Sequence, residues 1–223
     1  MELTSILLLA FGFGLLHALD PDHVLAVSGL SGMRREHMQS SLSFSLRWAL
    51  GHGSSVLLIG GLVIMAGMAI PDRFSLIVEN MIAFLLLAIG LLLLVDWLRQ
   101  RNTLYYHEHD NIPVHPHIQS AQAVNPLHRH RHGTVLVGLV HGVAGSAPLL
   151  ALLPLSKMQS PAVGMAYLLV FSIGVLVSMV VFGGLLGRLF ISLQGLGNHF
   201  AEGLRLLLAI MTIGFALYLM SAV

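Results

Sequence analysis

Long apolar runs separated by short polar segments set the pattern of this chain. Six stretches, near 3–30, 43–69, 75–97, 133–155, 161–190 and 203–222, are each apolar over the ~20 residues a helix needs to cross a bilayer core of about 30 Å. None alternates in the runs of ~10 that mark a membrane-barrel strand. The first stretch opens on Glu2 without a basic start and stays apolar past any cleavage site, unlike a cleaved signal peptide. The pattern predicts an all-α polytopic membrane protein with about six transmembrane helices.

Composition narrows the class further. Of 223 residues, 56% are apolar and 9% charged, where a soluble domain carries about 25% charged. Soluble globular and disordered chains are both excluded on that ground. The 11 basic and 10 acidic residues leave a net charge of +1, too little for a nucleic-acid surface. No cysteine is present, so disulfides and thiolate metal sites are excluded. The 11 methionines are scattered, which suits packing.

Basic residues set the expected orientation. With both termini outside, Arg34, Arg35, Arg47, Arg99, Arg101, Arg129, Arg131, Arg188 and Arg205 fall in or beside cytoplasmic loops, and Arg73 and Lys157 stay outside. The positive-inside rule then favours an N-out, C-out multi-pass protein of the cytoplasmic (inner) membrane, with the lipid bilayer as its surroundings. Connection 98–132 becomes cytoplasmic. It is polar, holds three prolines, and is expected to lack fixed structure.

An internal echo suggests how the spans are grouped. GLLHALDPDHVLAVSGL begins at Gly14 and GLVHGVAGSAPLLALLPL at Gly138, which sets His17 over His141 and Pro21–Asp22 over Gly145–Ser146. LLLAI occurs at 85–89 and again at 206–210, at a different offset. Two copies of three spans would be inverted, because three is odd, and inverted repeats with interrupted helices are a secondary-transporter design. The expected organisation is a first three-helix repeat (1–98), a His-rich cytoplasmic loop (99–132) and a second repeat (133–223), with the first and fourth helices interrupted.

The chemistry gathers in His17-Ala-Leu-Asp20-Pro21-Asp22-His23. A charge near the bilayer centre costs roughly 2.5–3.5 kcal/mol, so four ionisable groups in one span need a cavity or a cation. A helix stop and restart at the interface is the plainer reading, since Asp-Pro suits a helix start. The apolar run from Val24 to Leu30 speaks against it. Pro21 donates no hydrogen bond and crowds the carbonyl of residue 17, so the helix should break there. A break lets His17 and His23 converge, while Asp20 and His23, three apart, share a face. Asp20 is alternatively the cap of the half-helix from Pro21. His52 in span two and His141 in span four lie at compatible depths, about 6–14 Å from the cytoplasmic start at 1.5 Å per residue. A lone membrane histidine commonly bonds between helices; three near one Asp-rich break favour a shared site. Imidazole and carboxylate donors without thiolate suit nickel, cobalt or zinc. In the loop, His107, His109, His115, His117, His128, His130 and His132 form a metal-binding composition, an auxiliary site able to buffer or deliver ions.

The stretch from His17 to His23 resembles the signature of the nickel/cobalt permease family. Leu50-Gly51-His52 looks like that family's second motif. With His141-Gly-Val-Ala-Gly-Ser added, the pattern is similar to the shorter urease-associated (UreH-like) branch. Leu16 stands where many members have arginine, and Pro21 where many have alanine. The resemblance implies roles in metal selection for His17, Asp22, His23 and His52. It also implies a permease that takes up Ni²⁺, with Co²⁺ as the second candidate cargo, and no prosthetic group. A cytoplasmic metallochaperone is a candidate partner. The rival directions are an exporter fed by the loop histidines and, more remotely, an intramembrane hydrolase using Ser54 or Ser146 with a metal-bound water. No phosphate-binding Gly-Lys-Ser/Thr loop occurs, and neither His-Glu-x-x-His nor Gly-x-Ser-x-Gly is present. The reading is therefore of a secondary transporter rather than an enzyme.

Overall fold

Backbone groups in hydrocarbon must be satisfied within the segment, which forces apolar runs into helices. A computed structural model describes residues 2–32, 38–66, 72–101, 105–109, 112–117, 131–144, 160–194 and 198–222. Its helices are α1 (Leu3–His17), α2 (Pro21–Gly32), α3 (Met38–Ala66), α4 (Asp72–Arg101), α5 (Arg131–Ala144), α6 (Pro161–Gln194) and α7 (Asn198–Ala222). Four of them, α3, α4, α6 and α7, are long and apolar enough to cross a membrane, and α1 with α2 makes a fifth span bent by 53°. The chain is a polytopic helical membrane protein. Within α5, Gly133–Val143 is a shorter apolar helix; the rest of the expected fourth span, with the interruption expected at Gly145–Ser146, lies outside the described residues.

The break in the first span follows from Pro21. Leu19 N–H bonds the Leu16 carbonyl at 2.9 Å and Asp20 N–H bonds that of His17 at 3.1 Å, tightening the last turn of α1. The helix restarts with Val24 N–H on the Asp20 carbonyl at 3.0 Å, beyond the residue that has no N–H to give.

The connection expected to lack structure differs from that expectation. It holds an antiparallel pair, β1 (Tyr105–His109) with β2 (Ile112–His117), in which Tyr105 faces His117 and His107 faces His115. Tyr105, Tyr106, Ile112 and Val114 favour extended backbone. Pro113 and Pro116 are tolerated because a two-stranded ribbon is all edge.

α3 is the central helix, packed against α5 and α6; α1 lies on α6, and α4 pairs with α7. Trp48, Leu86, Phe171, Val175 and Met179 are buried in the core, while Leu58, Leu62, Phe84 and Leu185 are exposed as lipid-facing residues would be. Glycines permit the closest crossings. A Cβ at Gly14 would strike the Phe171 carbonyl, and one at Gly174 the Phe11 carbonyl, where α1 meets α6. Where α5 meets α3, a Cβ at Gly138 would strike the Trp48 carbonyl, and one at Gly51 that of Val135. These are the same contacts at a nearly constant offset: 124 residues from Phe11 and Gly14 to Val135 and Gly138, and 123 from Trp48 and Gly51 to Phe171 and Gly174. The α4–α7 crossing pairs Gly90 with Ile213, also 123 apart. The LLLAI match, offset by 121 (85 to 206), is out of step with these contacts.

Candidate metal centre

Four buried imidazoles converge from four helices. His17 ends α1, His23 lies in the first turn of α2, His52 is midway along α3, and His141 lies in the last turn of α5. All four are 0–2% exposed. Ring centroids are 4.6 Å apart for His17–His23, 5.5 Å for His17–His52, 5.0 Å for His23–His52 and 4.6 Å for His23–His141. The 53° bend places His17 and His23, six residues apart, edge to face. A straight helix would hold them on different faces.

The carboxylates tie the rings together. His23 Nδ1 lies 3.1 Å from Asp22 Oδ1, and His141 Nε2 lies 3.2 Å from Asp22 Oδ2, so one carboxylate bridges α2 and α5. Asp22 is 13% exposed. Asp20 Oδ2 approaches His17 Nδ1 at 2.8 Å, off the line of a hydrogen bond, and Asp20 is 31% exposed. Spacing alone puts Asp20 beside His23. Because the helix restarts at Pro21, Asp20 falls in the turn and faces back to His17. At His23 the Asp22 carboxylate on Nδ1 fixes the ring and leaves Nε2 as the lone-pair donor, the usual support of a metal-ligating histidine.

Those lone pairs are unspent. Both nitrogens of His17, His52 and His141, and Nε2 of His23, are buried without a hydrogen-bond partner among the described residues. A buried unsatisfied group of this kind costs about 1–3 kcal/mol, and so many in one place call for water or an ion. Two donor groups can be drawn, His17–His23–His52 and Asp22–His23–His141, each with ligand atoms within 4.8 Å of one another. The edges of a coordination shell with bonds near 2.1 Å are about 3.0–3.4 Å, so side-chain rotations of roughly an ångström would close either group on a cation. His23 belongs to both.

Glycine governs how α3 and α5 meet here: a Cβ on Gly142 would sit 2.9 Å from the Cα of His52. Two aromatic rings flank the cluster and carry no obvious signal in the sequence. Trp48 lies 5.4 Å from the His141 ring and Phe171 lies 5.7 Å from that of His17. A recurring aromatic-x-x-Gly, Trp48 to Gly51 and Phe171 to Gly174, is the pattern that marks them.

Other candidate residues fall elsewhere. Ser54 is exposed and donates to the Leu50 carbonyl of its own helix at 2.7 Å, so it is not aimed at His52 as a nucleophile would be. His107, His109, His115 and His117 lie on β1 and β2, and His132 in the first turn of α5. His128, His130 and Ser146 lie outside the described residues.

The chain resembles known proteins along almost its whole length. The family model NicO, described as a high-affinity nickel-transport protein, matches residues 3–223. The urease accessory protein UreH of Bacillus sp. (strain TB-90) is 29% identical over 191 residues, covering 84% of this chain and 78% of that relative. No solved structure matches the chain.

Proposed function

The chain belongs to the NicO family of high-affinity nickel-transport proteins, and from that premise we propose that Ni²⁺ crosses the membrane through the centre formed by His17, Asp22, His23, His52 and His141. One observation carries the assignment: four buried imidazoles from separate helices meet with lone pairs that nothing in the described residues occupies. Asp22 supplies negative charge to a partly dehydrated cation, and Asp20 adds its charge beside His17. Nitrogen and oxygen donors select borderline divalent ions, so Co²⁺ is the expected second cargo. The transport is uptake. A divalent ion moving inward gains about 4.6 kcal/mol per 100 mV of membrane potential, at 2.3 per charge.

In this reading the two groups of three spans, 1–98 and 133–223, are inverted repeats in an N-out, C-out arrangement of the cytoplasmic membrane. The constant offset of the glycine crossings supports it. The donors are not repeated with the scaffold: His17 has a counterpart in His141, but the position matching His52 is Val175. The His-rich loop between the repeats, 99–132, gathers ions on the cytoplasmic side and is the natural place for a metallochaperone to dock.

Nickel accumulation in cells tests the proposal. At equal expression, His17→Ala and Asp22→Asn should accumulate less nickel than the native chain; unchanged accumulation by both contradicts the assignment. Cells expressing the native chain should become nickel-sensitive, whereas resistance would mean export.

A further inference from the structure

We propose that Trp48 and Phe171 are the two gates of this transporter, equivalent residues that close the metal centre toward opposite faces of the membrane. The proposal rests on the transport reading above and adds what opens and closes the site.

The geometry places one ring on each side of the cluster. α3 and α6 run antiparallel, since Gly53 faces Ser172, Gly60 faces Leu168 and Gly184 faces Leu42. Trp48 lies one turn from His52 on the Met38 side. Phe171, between the positions facing Gly53 and Gly60, lies on the Ala66 side. Each ring covers a different histidine, Trp48 that of His141 at 5.4 Å and Phe171 that of His17 at 5.7 Å. Those histidines are themselves 124 residues apart, as the rings are 123 apart (17 to 141, 48 to 171). Both rings are fully buried, and each sits at a glycine crossing: Gly138 lies against Trp48, and Gly14 against Phe171.

Two further facts suit moving parts. The Trp48 indole N–H is buried without a partner among the described residues, and would gain one by swinging toward water. The glycine crossings let α1 slide on α6, and α5 on α3, without side chains interlocking. Opening one ring while its equivalent stays shut exposes the centre to one face at a time, as alternating access requires.

The chain has no cysteine, so an introduced thiol is unique. The test places the reporter His52→Cys in the centre and reads its labelling by a membrane-impermeant maleimide in right-side-out and inside-out vesicles. With both rings present the thiol should label slowly from either face. Adding Trp48→Ala should raise the rate from one face, and adding Phe171→Ala from the other. Each rise should be at least about tenfold, as an open state populated roughly 0.1–10% of the time becomes the main one. Trp48→Leu and Phe171→Leu, which keep apolar volume, serve where an alanine variant fails to fold. Exposure on the same face in both variants, on both faces in each, or no rise in either overturns the assignment. Nickel uptake by the native chain, measured in the same vesicles, reports on the transport reading separately.

Discussion

His23 is the one residue that both donor groups share, so its removal should be worse than that of any other histidine. His23→Ala leaves His17 with His52 in one group and Asp22 with His141 in the other, neither of which retains three donors. By contrast, His17→Ala or His52→Ala leaves Asp22–His23–His141 whole, and His141→Ala leaves His17–His23–His52 whole. A four-ligand protein site holds a divalent metal with about 10–16 kcal/mol, or roughly 2.5–4 kcal/mol per ligand. Losing the shared ligand should therefore weaken nickel binding by about two to three decades, at 1.4 kcal/mol per decade. Losing an unshared ligand should cost about tenfold, the low end of what disturbing a metal site's support costs. The assay is nickel binding by purified protein in detergent, with uptake in cells as a second reading. The double variant His17→Ala/His141→Ala spoils both groups and should match His23→Ala. If His23→Ala binds nickel as well as His17→Ala does, the shared-ligand reasoning is refuted.

Two further outcomes follow from the same contacts. His52→Leu removes two buried unpartnered nitrogens, worth about 1–3 kcal/mol each. It should raise the Tm of the metal-free protein by several degrees, at about 2–4 °C per kcal/mol, while lowering nickel uptake; a fall in Tm would show those nitrogens to be satisfied. Gly142→Val must push α5 from the His52 backbone and should abolish uptake, whereas a Cβ at Gly12 meets nothing within 4 Å and Gly12→Ala should leave Tm and uptake essentially unchanged.

Much of the candidate centre is legible in the sequence because membranes make polar residues expensive. Asp22, His23, His52 and His141 stand out against apolar neighbours, and Pro21 announces the break that lets His17 and His23 meet. Partners are harder to read than positions. Three-residue spacing assigns Asp20 to His23, but that rule holds only inside a helix, and Asp20 lies in the turn before one. Trp48 and Phe171 are hidden for the opposite reason: an aromatic ring in an apolar run is what lipid and core both favour. The proposed repeat can be traced in Gly14-Leu-Leu-His17 and Gly138-Leu-Val-His141, where glycine is needed for helix approach. Leucine-rich runs mislead because any register satisfies them. The strand pair in the loop is hidden because histidines and prolines outnumber the few strand-favouring residues, Tyr105, Tyr106, Ile112 and Val114.

The most direct measurement is an anomalous-scattering map of the protein crystallised with nickel. The account predicts a nickel peak inside the helical bundle, within bonding distance of His23 and at least two of His17, Asp22, His52 and His141. Nickel bound at the loop histidines alone, with the buried cluster holding none at saturating metal, would contradict it.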